Sequence, residues 1–332
     1  MHVRIWLVAS LLASALLSAC QATSPAILGR PVHTFSIVAR DPRTGELGVA
    51  VQSHWFSVGT VVTWAEAGVG AVATQSFAEP AYGPRALDLM RTGVAAPDAL
   101  AALLAADAGR EVRQVAIVDS EGRVAAHTGS KCIDWAGHKT GASYSCQANL
   151  MIDDVVTAMS RAYESANGDL AERLMQALEA AQAAGGDIRG KQSAALLVVK
   201  AQSSGRPWAD RVVDLRVEDN PEPLRELRRL LVVQRAYEHM NAGDQAVEKK
   251  DMEAALREYG AAMQLVPDNL EMRYWTAVAL ASNGRIEEAL PLFRAVFAGD
   301  KNWIELTRRL PKAELLSREI AEKVLAGAAP TR

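Results

Sequence analysis

Cysteine is scarce in this chain, and a surplus of positive charge is absent. Three cysteines in 332 residues are too few for a disulfide scaffold. Lys and Arg number 36 against 39 Asp and Glu, a net charge of −3, which argues against a general nucleic-acid binder. No Gly-x-Ser-x-Gly elbow occurs, so Ser53, Ser76 and Ser193 make a poor case for a serine–histidine hydrolase. Gly59, Gly68 and Gly70 form no phosphate cradle, and no nucleotide or other cofactor is implied. What remains is ordinary globular composition, 49% apolar and 23% charged, in a chain long enough for two cored domains.

The opening residues read as a signal. Arg4 supplies a positive charge, Ile5 to Leu17 is an almost unbroken apolar run, and Leu17-Ser18-Ala19-Cys20 closes it with small residues. The run is too short for a comfortable membrane span. The ending resembles the lipobox of bacterial lipoproteins, which implies cleavage before Cys20 and lipid on that cysteine; an ordinary signal or a short anchor helix is the other reading. Removing residues 1–19 makes the net charge one unit more negative. Gln21 after the cysteine, by resemblance to enterobacterial sorting, implies the periplasmic face of the outer membrane. Residues 20–32, with small residues, Gly29 and two prolines, read as a tether.

The segment from His33 to Asp41 predicts a strand. Phe35, Ile37 and Ala39 share one face; Thr34, Ser36, Val38 and Arg40 share the other. Asp41-Pro42-Arg43-Thr44-Gly45 is turn chemistry, and Leu47 to Ser53 returns as a second strand. Further strands are expected at 61–64, 69–75, 114–119, 123–127, 193–199 and 211–217. Helices are expected from Tyr82, from Pro97 to Ala106, at 155–165 and at 170–184. This order suggests a layered α+β domain over residues 33–220.

The blocks TFSIVARDPRTGELGVAVQSHWFSVG, AGVGAVATQSFAEPAYGPRALDLMR, RQVAIVDSEGRVAAHTGSKC and GGDIRGKQSAALLVV resemble the domain of unknown function 1028 family, over about residues 33–218. The resemblance implies a four-layer αββα sandwich of the N-terminal-nucleophile hydrolase type. Such a fold attacks an amide with a Thr, Ser or Cys whose own freed α-amine is the base. Thr34 is the residue that matches. A mature chain starting at Cys20 would leave Thr34 without a free amine until the His33–Thr34 bond is cut; otherwise Thr34 is a β-branched strand residue.

Other polar groups gather near strand ends. Gln192 and Ser193 are candidate oxyanion donors or a strand cap, and Ser53 with His54 offers a hydroxyl and an acid–base group or a structural histidine. Gln75-Ser76 and Gln147-Ala148-Asn149 are weaker candidates. His127, Cys132 and His138 are spaced unlike a compact zinc motif, so no metal is expected. A disulfide between Cys132 and Cys146 is preferred to a metal, with two free thiols left open.

Beyond Asn220-Pro221-Glu222-Pro223 the sequence turns helical, defining a second domain, 221–332. A 34-residue period aligns Ala255-Leu256 with Ala289-Leu290 and Tyr259 with Phe293. This resembles tetratricopeptide repeats over 236–302, between a leading helix at 224–234 and a trailing helix at 312–327. The repeats imply a peptide or protein partner, or a packing or dimerisation module. Taken together, the sequence predicts an envelope-anchored amide hydrolase acting on a small molecule or peptide. The alternative is a catalytically inactive binding or scaffolding lipoprotein. A membrane is involved only through the lipid anchor.

Overall fold

The computed structural model describes residues 34–151 and 154–328; the expected signal segment, Cys20 and the tether lie outside them. Compactness divides the chain after Val212, inside a strand.

The first unit is built on two sheets. Strands β1 (Thr34–Arg40), β2 (Leu47–Ser53), β3 (Thr63–Glu66), β4 (Gly70–Ser76), β5 (Arg113–Asp119), β6 (Val124–Thr128), β7 (Gly137–Gly141), β8 (Tyr144–Ala148), β9 (Ser193–Val199) and β10 (Arg211–Val217) form them. One sheet has the order β10-β9-β2-β1-β8-β7, the other β3-β4-β5-β6. Helices α2 (Tyr82–Arg91) and α3 (Ala96–Ala106) cover the four-stranded sheet. Helices α4 (Val155–Ser165) and α5 (Leu170–Ala183) cover the six-stranded one. The result is the expected four-layer αββα sandwich.

Local chemistry explains the elements. The Asp41 carboxylate accepts the Arg43 backbone N–H at 2.8 Å, which fixes the turn into β2. Asp154 and Asp169 cap α4 and α5 through the N–H groups of Thr157 and Glu172. Gly48 lets α5 lie close on β2: a Cβ there would stand 2.6 Å from Leu174 Cδ1. Between the sheets, Val38, Val49, Val51, Ala73, Ala116 and Val118 pack as one buried cluster.

Three local expectations need correction. Residues 59–62 form a single helical turn, α1 (Gly59–Val62), and the strand follows it at Thr63 rather than starting at 61. No strand is expected at 137–141, because β7 is an exposed edge with no apolar alternation, and β8 is expected only as a strand end at Gln147 to Asn149. Cys132 and Cys146 are free thiols rather than a disulfide. Cys146 pairs with Ile37 and so points to the helix-covered face with Tyr144. Cys132 sits in the loop after β6, its thiol donating to the Arg113 carbonyl.

The second unit is helical. Its helices are α6 (Pro223–Glu248), α7 (Met252–Leu265), α8 (Leu270–Ser282), α9 (Ile286–Gly299), α10 (Asn302–Arg309) and α11 (Arg318–Ala328). The expected leading helix does not stop at 234. It continues through the first repeat as α6, since neither Pro nor Gly interrupts residues 224–242. The expected trailing helix begins instead as a short 3-10 turn, Leu310–Ala313, followed by α11. Antiparallel pairs α6–α7 and α8–α9 bury Tyr259 and Phe293, the residues that mark the 34-residue period.

Candidate functional site

Antiparallel register places Thr34 opposite Ser53, and Ser53 opposite Ser193, so three hydroxyl residues form a row across β1, β2 and β9 at one end of the sheet. All three are buried. Thr34 Oγ1 donates to Ser53 Oγ at 3.2 Å. The Ser193 hydroxyl turns elsewhere: it donates to the Trp55 carbonyl and accepts the Val58 N–H at 3.1 Å, tying down the loop before α1. The Gln192 backbone N–H donates to the Ser53 carbonyl at 3.1 Å.

His54 does not join this row. Its backbone N–H donates to Asp187 Oδ2 at 3.1 Å, and its buried Nδ1 has no hydrogen-bond partner among the described residues and faces the turn at Gly190. Asp187 is in turn held by Arg189, whose Nη2 lies 2.8 Å from Oδ2. Of the five candidates, then, Thr34 and Ser53 meet through their side chains. Gln192 and Ser193 border them, and His54 faces a neighbouring loop.

The more extensive structure around Thr34 is a buried polar layer between the sheets. Ser145 Oγ donates to Gln147 Oε1 at 3.1 Å, and Gln147 Nε2 donates to Ser36 Oγ at 2.6 Å. Ser36 Oγ then donates across the gap to Gln75 Oε1 at 2.6 Å. Gln75 Nε2 returns to the Thr34 carbonyl at 3.1 Å and also reaches Gln114 Oε1 at 2.7 Å. Gln114 accepts from Asn149 Nδ2 at 2.9 Å, and the two hydrogens of its Nε2 are shared among three acceptors in reach, Thr128 Oγ1 and the Gly137 and Ala148 carbonyls. An unsatisfied buried amide costs about 1–3 kcal/mol, so a layer of this kind persists only where partners close it. Among the described residues, Asn149 Oδ1 is the member left without a partner. At the ends of this layer Ser76 and Leu150 hold left-handed backbone, φ 67° and 57°, a conformation that costs roughly 1–2 kcal/mol for such residues.

Sequence reasoning placed Gln75 and Gln147 near strand ends but gave Ser36, Gln114 and Thr128 no role. The signal was present: Gln75 and Gln114 are the lone amides in two buried strands whose central residues, Ala71 to Ala73 and Val115 to Val118, are apolar on both faces.

Toward the sheet edge, Thr128 Oγ1 lies 2.8 Å from His138 Nδ1, and burial followed by the charge of His127 lowers the His138 pKa. His127 Nε2 bonds the Arg110 carbonyl at 2.8 Å. Among the described residues, no three His, Cys, Asp or Glu side chains are grouped to hold a metal ion.

Chemically, the arrangement fixes one hydroxyl, that of Thr34, at the head of an inner strand. The Thr34 carbonyl is pinned by both Gln75 and the Asn149 backbone N–H, the latter at 3.2 Å.

Comparison with known proteins agrees with this architecture. No curated protein matches the chain. A crystal structure of a Silicibacter pomeroyi protein of the DUF1028 family is 34% identical, with a TM-score of 0.54. The match covers 60% of this chain and 88% of that one. Residues 246–308 match the tetratricopeptide repeat model. Residues 34–227, more than half of the chain, match the model described as a family of unknown function (DUF1028), and the chain belongs to that family.

Proposed function

We propose that the chain is exported with lipid on Cys20, and that the sandwich domain hydrolyses an amide bond with Thr34 as nucleophile once the His33–Thr34 bond has been cut, a cut that also releases the domain from the lipidated segment. One observation carries the reading: Thr34 heads an inner strand with its hydroxyl 3.2 Å from Ser53 Oγ and its carbonyl clamped by the inter-sheet amides. Those neighbours are a hydroxyl and amides, which do not take up a proton at neutral pH. The α-amine released at Thr34 would be the base. It would accept the Oγ1 proton as Oγ1 adds to the substrate carbonyl, then deliver that proton to the departing amine, leaving an ester that water hydrolyses. The substrate class is an amide-containing small molecule or peptide.

A second reading has its own support. Ser193 is committed to the Trp55 loop, and the Thr34 side chain is fully buried, as suits a domain that binds rather than cleaves. The helical repeats would then hold a peptide or protein, or pack against another copy.

Intact-mass and N-terminal analysis of protein from its native envelope separates the two. A chain beginning at Thr34, whose activity on amide substrates survives Thr34→Ser and is lost in Thr34→Ala, supports the hydrolase. A chain beginning at lipidated Cys20 overturns it and leaves the binding protein.

A further inference from the structure

The row of hydroxyls lies at one end of the sandwich, and the register of the strands fixes which loops share that end. Residues 54–58 follow β2 from Ser53, and residues 186–192 lead into β9 at Ser193. Residues 129–136 join β6, which ends opposite Gln114, to β7, which starts opposite Ala148. Those three loops carry Phe56, Ile133, Trp135 and Ile188, which are 64%, 38%, 72% and 60% exposed. Four of the large apolar side chains exposed among the described residues thus cluster on one end. Trp208, at 77%, stands at the opposite end, in the β9–β10 connection. Trp135 is held out in left-handed backbone, φ 57°, and Ser57 beside Phe56 is also left-handed, φ 54°. A large apolar residue fixed in that way at a loop tip is not the product of a loop simply collapsing onto the core.

The direction in which the chain enters points to the occupant. Residue 34 begins β1 at this same end, and fourteen residues separate it from Cys20. Fully extended, that stretch spans at most about 50 Å, so lipid on Cys20 would keep this end of the sandwich near the bilayer. Lys131 and Lys139 bracket Ile133 and Trp135, with Asp134 the one acid between them, and Lys191 follows Ile188. Indole and aliphatic tips flanked by lysine suit an interface with anionic headgroups.

We propose that the Thr34 end of the sandwich is a membrane-facing surface, with Phe56, Ile133, Trp135 and Ile188 seated in the interfacial layer of the bilayer. The proposal rests on the envelope-anchoring reading above and concerns the chain before the His33–Thr34 bond is cut; it orients the domain with Thr34 toward the lipid.

The test uses the full chain reconstituted with vesicles of phosphatidylethanolamine and phosphatidylglycerol, part of the lipid brominated on its acyl chains. Flotation reports attachment, and bromine quenching of tryptophan reports which residues reach the acyl region. The expected result is a quenched component that disappears in Trp135→Phe and persists in Trp208→Phe. Flotation with the same quenching in wild type and Trp135→Phe overturns the proposal while the anchoring reading stands. Absence of flotation overturns both. Self-association that depends on Trp135, with no quenching of it, assigns the patch to a second copy of the chain and also overturns the proposal.

Discussion

A glutamine between two packed sheets must spend every polar group of its amide on protein partners, because no water competes there. Gln75 meets that demand with three: it accepts from Ser36 and donates to Gln114 and to the Thr34 carbonyl. Its side chain comes from one sheet, and Ser36 and Thr34 come from the other, so the same atoms that fix the candidate nucleophile also join the layers. Leucine at this position nearly conserves volume and removes all three bonds. Ser36 would lose the acceptor for its hydroxyl proton, while Gln114 Oε1 and the Thr34 carbonyl would each keep one donor, from Asn149. We therefore expect Gln75→Leu to lower stability by about 2–3 kcal/mol, read as the urea midpoint. Gln202→Leu, on an exposed loop, should stay within about 0.5 kcal/mol of the parent. Equal midpoints for Gln75→Leu and wild type would show that the amide layer contributes no net stability.

Elements were legible where burial and periodicity agree. The first hairpin, from β1 to β2, follows from its alternation and from Asp41 and Gly45 in the turn; the repeats follow from Tyr259 and Phe293. The polar face of β1 was harder to interpret. Thr34 and Ser36 alternate with Phe35 and Ile37 as if one side met water, yet both sides are buried, and the polar one faces glutamines contributed by distant strands. A pattern read along one strand does not reveal partners on another. For the same reason β7 was missed, its exposed His138-Lys139-Thr140 resembling a loop. In the helical unit two glycines separate packing from propensity. A Cβ at Gly243 in α6 would collide with the ring of Tyr259, whereas one at Gly260 in α7 would meet nothing. Gly243→Ala should cost roughly 1–3 kcal/mol by forcing the helix pair apart. Gly260→Ala should add about 0.5–1 kcal/mol, because alanine loses less backbone freedom on folding. Thermal unfolding followed by far-UV circular dichroism gives both signs. A destabilised Gly260→Ala would contradict the packing described for that face.

For the molecule as a whole, thiol chemistry links the fold to the proposed anchoring. The chain has three cysteines, and the two within the described residues are free and buried. Burial pushes the Cys132 thiol up, against the opposing hydrogen bonds from Ser76 and the Gly129 backbone, and burial pushes Cys146 further still. Each unit of increase leaves a thiol roughly tenfold less ionised at neutral pH, and the thiolate is the reactive form. Both should therefore react slowly with a disulfide reagent in the folded protein and quickly once urea exposes them. A reductant should leave the unfolding midpoint unchanged, because no bridge closes between a cysteine on the helix-covered face of β8 and one in the loop after β6. The number released on unfolding then tests the N-terminus: lipid on Cys20, or its removal, leaves two thiols to titrate, and an unprocessed chain shows a third. A midpoint that falls with reductant would mean that Cys132 and Cys146 pair in solution, which requires the loop after β6 to leave the Arg113 carbonyl it holds here. Three rapidly reacting thiols on unfolding would remove the lipid from Cys20 and, with it, the reason to place the Thr34 end of the sandwich against a bilayer.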